Sequence, residues 1–220
     1  MKITTLILLG YLLVFTQGCQ LFQAKSKHSY RSKQSHASFK KSSTRLWYKR
    51  HQRIEAYKKH YSKNNQAMQL WYKSKKYLPY IRSVFRQYGL PNELCLLPMI
   101  ESSFDPKAKN PRAAGLWQFI EPTAKEYGLR INFFVDERFD WKKSTVAAAK
   151  YLTWLGKQFD GDWALVLAAY NMGPGAIKRA MKKQGVNDYW KLRIREETTN
   201  YVPKLVALVQ IIRENTRKRS

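Results

Sequence analysis

Residues 144–175 read STVAAAKYLTWLGKQFDGDWALVLAAYNMGPG. Val146, Ala149, Leu152, Leu155 and Phe159 recur at the helical period, and Ala147-Ala148-Ala149 adds strong helix formers. Asp160-Gly161-Asp162 reads as a tight turn. Trp163 to Tyr170 is apolar on every side, so it predicts a helix buried at the centre of a core. Gly173-Pro174-Gly175 then breaks the chain. Two consecutive helices, the second wholly enclosed, predict an all-α domain.

The same pattern extends in both directions. Downstream, Ala176 to Lys183 resumes as helix, and a last helix runs from about Thr198 to Glu214 with Tyr201, Leu205, Leu208 and Ile212 on one face. Upstream, Tyr80-Ile81, Val84-Phe85 and Tyr88 share a face, Gly89 stops that helix, and Leu90-Pro91 forbids its continuation. Asn92 is placed to cap a further helix reaching about Glu101. Asp105-Pro106 and Asn110-Pro111 mark a loop, and Glu121-Pro122-Thr123 opens a helix that Gly128 closes. No segment alternates strongly enough to predict a strand, and no internal repeat is present. The helical domain is predicted to occupy residues 65–220.

The N-terminal region has a different composition. Residues 1–18 carry a basic start at Lys2, an apolar run from Leu6 to Phe15, and a small residue before Cys19. That is a signal-peptide pattern, too short for a comfortable membrane span. Cys19 sits where bacterial lipoproteins carry their lipidated cysteine, so it is the predicted lipid attachment site. Residues 19–64 read as a basic flexible tether, disordered from Ala24 to Thr44, with Trp47, Tyr48, Ile54 and Tyr57 appearing later. The other cysteine, Cys95, lies in an apolar stretch and reads as a small buried hydrophobe.

Formal net charge is +26 over 220 residues. Gln20 to Tyr80 holds 16 Lys/Arg against one acid, Glu55; Ile81 to Ser220 holds 24 against 14. Such a chain attracts polyanions: nucleic acid, anionic lipid or an anionic wall polymer. An export signal argues against nucleic acid. His28, His36, His51 and His60 all fall in the tether without a companion cysteine or acid cluster, so no metal site and no cofactor are predicted.

Glu101 follows Met99-Ile100 at the end of an apolar segment. A carboxyl packed among apolar groups loses solvation, its pKa rises, and it can act as an acid near neutrality. Glycoside cleavage ordinarily uses two carboxyls. Asp105 reads as a turn residue, and Asp136, Glu137 and Asp140 fall in another loop, so no second carboxylate is placed.

Three further groups lie in order along the chain: Gly115-Leu116-Trp117-Gln118-Phe119, Ala168-Ala169-Tyr170-Asn171, and Glu197-Thr198 with Tyr201-Val202-Pro203. With Leu97-Pro98-Met99-Ile100-Glu101-Ser102 and Asp136-Glu137-Arg138 they closely resemble the SLT-type lytic murein transglycosylases, nearest to the membrane-bound D type. The resemblance spans roughly Tyr80 to Leu208. LysM repeats, frequent in D-type members, do not follow the last helix in this sequence.

The resemblance implies a lysozyme-like all-helical fold with Glu101 catalytic. Gln118, Tyr170 and Asn171 would line the sugar groove, and Tyr201 would lie near the carboxyl. Ser102 and Asn110 join Gln118 as candidates to bind the glycan. The implied reaction uses one carboxyl twice. Protonated Glu101 cleaves the bond between N-acetylmuramic acid and N-acetylglucosamine, the 2-acetamido oxygen stabilises C1, and the carboxylate then deprotonates the C6 hydroxyl to give a 1,6-anhydro end. The expected partners are peptidoglycan glycan strands and, through the lipid, an envelope membrane, with the outer membrane favoured by Gln20 after Cys19. A lysozyme-type hydrolase and a non-catalytic wall-binding protein are the competing readings.

Overall fold

In the computed structural model, which describes residues 45–63 and 65–217, residues 45–47 are helical and helix α1 (Gln52–Lys63) comes next. It is followed by α2 (Gln66–Ser74), α3 (Leu78–Gln87), a 3₁₀ turn (Asn92–Leu96) and the short α4 (Pro98–Glu101). Next come strands β1 (Ala113–Ala114) and β2 (Phe119–Ile120), then α5 (Glu121–Glu126), α6 (Trp141–Gln158), α7 (Trp163–Met172), α8 (Pro174–Gln184), a 3₁₀ turn (Tyr189–Lys191) and α9 (Glu196–Arg217). The all-α expectation holds for the bulk of the fold.

The central helices form for the reasons their sequence gives. Asp140 caps α6 by accepting from the backbone N–H of Lys142 and Lys143, each at 3.0 Å, so the helix starts three residues before Ser144. Asp162 does the same for α7, accepting from Ala164 at 2.9 Å and Leu165 at 3.1 Å. Every residue from Trp163 to Ala169 is buried, which is why α7 has no polar face. Gly185, at φ 63, ends α8 in the left-handed conformation.

Three expectations are corrected. The folded part begins well before residue 65: residues 45–47 and α1 contribute Leu46, Trp47, Ile54 and Tyr61 to the core. Gln210 of α9 donates to the carbonyls of Trp47 and Lys49 at 3.2 and 3.1 Å, and Lys58 of α1 pairs with Glu214 of α9 at 2.8 Å. The segment from Asn92 to Glu101 is two pieces rather than one helix, because Pro98 cannot donate into a continuous ladder and starts a new turn instead. The cap of the first piece is Pro91, and the Asn92 side chain instead accepts from the Cys95 thiol at 4.0 Å. Finally, a small antiparallel hairpin joins Ala113 to Ile120 and Ala114 to Phe119. The signal segment 1–18, Cys19 and the stretch to Thr44 lie outside the described residues.

Candidate active site

Glu101 is the last residue of α4. The chain reverses directly behind it: Ser103 and Phe104 both adopt left-handed backbone, at φ 53 and 56. Such conformations are costly for residues with side chains and persist only when their surroundings enforce them. Here Phe104 is fully buried and stacks on Tyr77 at 5.7 Å, and its N–H donates to the Pro98 carbonyl at 3.1 Å. Ser102 donates its hydroxyl to the Leu116 carbonyl at 2.8 Å. That bond ties α4 to the hairpin turn. Ser102 does not line the cleft, so the structure gives it a fastening position in place of the glycan contact predicted for it.

The hairpin turn is fixed by its own polar groups. Gln118, at φ 48, donates to the carbonyls of Gly115 at 2.8 Å and Ala108 at 3.2 Å, and accepts from the Asn110 amide at 2.8 Å. Asn110 in turn accepts from the N–H groups of Arg112 and Ala113, each at 2.9 Å. Gly115 sits at φ +80, and a Cβ there would lie 1.8 Å from the Arg138 carbonyl oxygen, so no other residue fits. Trp117 is buried and its indole N–H donates to Thr145 at 3.0 Å.

Two helix ends complete the site. At the end of α7, Tyr170 donates to the Trp117 carbonyl at 2.8 Å, which directs its hydroxyl to the hairpin rather than to the carboxyl. Asn171 accepts from the Thr198 hydroxyl at 2.6 Å and donates to Glu197 at 3.1 Å. Arg195 donates to the Asn171 carbonyl at 3.2 Å. On α9, Pro203 has no N–H to give the Thr199 carbonyl, and the Tyr189 hydroxyl takes that place at 2.7 Å. Tyr201, one turn inside this segment, donates its hydroxyl to Oε1 of Glu101.

These elements enclose a cleft of about 670 Å³. Glu101, Asn110, Gln118, Tyr170, Asn171 and Tyr201 all line it, together with Arg112, Arg195, Lys204 and Glu197. Glu197 is a second carboxylate that the sequence did not place: it is separated from Glu101 by most of the domain, and only the fold brings α4 and the start of α9 to one cleft. Burial pushes the Glu101 carboxyl up to about 7; the Tyr201 hydrogen bond pulls the other way, and the negative charge of Glu197 adds to the rise. Burial holds the Tyr201 and Tyr170 hydroxyls well above their ordinary range, so both stay protonated as donors. A carboxyl poised near neutrality, with its own fixed donor, can give up a proton and take one back. Among the described residues, no group of three His, Cys, Asp or Glu could hold a metal ion.

The family described as Transglycosylase SLT domain matches residues 80–193, a stretch that includes Glu101 and stops short of Glu197 and Tyr201. The chain is similar to the membrane-bound lytic murein transglycosylase D of two Escherichia coli strains, 38% identical over 171 residues. That match covers 75% of this chain and 38% of the relative, so the chain spans little more than a third of its length. Among solved structures it resembles an inactive mutant of a lytic transglycosylase Slt from Pseudomonas aeruginosa, with a TM-score of 0.50 and 20% identity over 63% of this chain and 24% of that one. At that identity the likeness concerns the fold.

Proposed function

Since the chain belongs to the SLT-domain transglycosylases, we propose that it cuts the glycan strands of peptidoglycan without water, leaving 1,6-anhydro-muramic acid ends. The observation that carries this reading is the Glu101 carboxyl, buried, raised to about 7 and held by Tyr201 at the wall of the cleft. In the first step Glu101 protonates the oxygen between N-acetylmuramic acid and N-acetylglucosamine. The substrate's 2-acetamido oxygen stabilises C1. The Glu101 carboxylate then removes the C6 hydroxyl proton as that oxygen attacks C1, which returns the enzyme to its starting state. Asn110, Gln118 and Asn171 form part of the wall along which the sugars would lie, their amides oriented by internal hydrogen bonds, and Tyr170 offers a ring face. The name of these relatives, membrane-bound, supports an envelope location. We infer that the chain is exported, lipidated at Cys19 and held facing the periplasm from the outer membrane.

Glu197 favours one alternative, a lysozyme-type hydrolase, because hydrolysis ordinarily employs two carboxyls in one cleft. Mass analysis of muropeptides released from purified sacculi separates the two. Products lighter by one water than lysozyme products support the lyase. Products with reducing ends overturn it.

A further inference from the structure

A second cavity, of about 410 Å³, adjoins the cleft and shares Asn110, Arg112, Ala113 and Ile120 with it. The loop at this shared edge is fixed. Lys109 bridges to Ala114, the Asn110 N–H donates to the Ala113 carbonyl at 2.9 Å, and the Asn110 side chain accepts from the N–H groups of Arg112 and Ala113. Arg112 therefore stands at the edge where this annex meets the space that holds Glu101. Pro111, Pro122 and the half-exposed Ile120 give the annex an apolar face, and Lys109 joins Arg112 on its wall. Among the described residues Asn110 is the one neutral polar side chain there, and Gln118 and the loop backbone already engage it.

The charges around the annex do not balance. Glu121 pairs with Lys125 and Asp136 with Arg138, each at 2.6 Å. Asp105, the other acid on this loop, accepts from the Lys107 N–H at 2.9 Å and does not line the annex. Asp136, which Arg138 already neutralises, also feels Lys109. Among the described residues neither Lys109 nor Arg112 is ion-paired with an acid, so Lys109, Arg112, Lys125 and Arg138 stand against Glu121 and Asp136 alone. On its cleft side Arg112 is joined by Arg195 and Lys204, against Glu197 and the Glu101 carboxyl raised to about 7. Unpaired cations beside an apolar face suit a peptide that carries carboxylates and small side chains. We propose that the annex receives the acidic peptide borne by the muramic residue of the strand, an inference that rests on peptidoglycan being the substrate. That ring carries the peptide on its C3 ether and is cut at C1, so the peptide leaves the very sugar held at Glu101 and needs room beside the cleft. Its carboxylates meet Lys109 and Arg112, and its alanine methyls lie on Pro111, Ile120 and Pro122. The chain therefore prefers peptide-bearing strands to bare glycan.

The test measures binding by calorimetry, with the full chain carrying Glu101→Gln so that strands stay uncut. The two probes are soluble glycan strands with their peptides and the same strands stripped of peptide by an amidase. The peptide-bearing strands should bind at least about tenfold more tightly. Adding Lys109→Ala with Arg112→Ala should bring that ratio down to about twofold or less. Lys182→Ala with Lys183→Ala removes the same charge from the last turn of α8 and should leave the ratio as it was. All four side chains are exposed, and melting of each variant verifies its fold. A ratio near one in the parent, an unchanged ratio in the annex variant, or an equal fall in the α8 variant would overturn the inference. Cleavage enters none of these measurements, so failure of the lyase reading shows in product mass and failure of this inference shows here.

Discussion

Tyr201 reaches Oε1 of Glu101 from 100 residues downstream, joining α9 to the last residue of α4. The bond favours the ionised carboxyl and so opposes burial. Because the first proposed step needs the protonated acid, kcat/KM should fall as pH rises through the Glu101 pKa. Tyr201→Phe removes the opposing bond, so the falling limb should move to higher pH. Glu197→Gln removes a negative charge that raises the pKa, so the limb should move to lower pH. Profiles measured from about pH 5 to 9 on both variants check the two signs, and movement in one common direction would contradict the assigned causes.

Glu101→Gln should reduce release of soluble fragments by at least about a hundredfold. Its stability carries a second sign. The folded carboxyl keeps its proton between the ordinary value of 4.5 and about 7, where the unfolded one has lost it. Stability therefore falls with rising pH across that window, and above it the parent carries a penalty of roughly 3 kcal/mol. The glutamine variant lacks the penalty. It should melt higher than the parent at about pH 8 and equally at about pH 4. Equal melting at both would mean that the carboxyl is well solvated.

Gly115→Ala should cost about 3 kcal/mol or more, since the new Cβ meets backbone rather than a movable side chain and the φ is positive. Thermal melting measures it. Activity should fall further than the lost folded fraction accounts for, because Gly115 also shapes the turn that holds Gln118.

Periodicity makes α6 and α9 legible, because their apolar residues recur over many turns, and α7 is legible as an unbroken apolar run. The hairpin is not: each strand has two residues, too few to alternate, and its order comes from the side chains of Asn110 and Gln118. Ser102 is a glycan candidate in the sequence, yet its hydroxyl turns to Leu116. The clustering of Glu101, Gln118, Tyr170, Asn171 and Tyr201 was anticipated through the family resemblance; spacing alone would have left each as core packing or a cap. Trp47 and Ile54 read as tether because lysines and glutamines surround them, and a dilute apolar pattern hides a buried face.

Trp47→Ala should therefore cost about 3–5 kcal/mol, as for any enclosed tryptophan, and not the near-zero effect of a change in a loose linker. Melting of this variant beside the parent decides it. Removing everything before residue 65 should leave α9 without its partner and abolish cooperative unfolding.

The Gln210 contacts to Trp47 and Lys49 give α9 a mechanical character. One half of this helix is moored to the backbone at Trp47 and Lys49, and the other half carries the hydroxyl that grips Glu101. The two contacts therefore share one rod, and loosening the Trp47 segment should disturb the donor at Glu101 as well as the core around it.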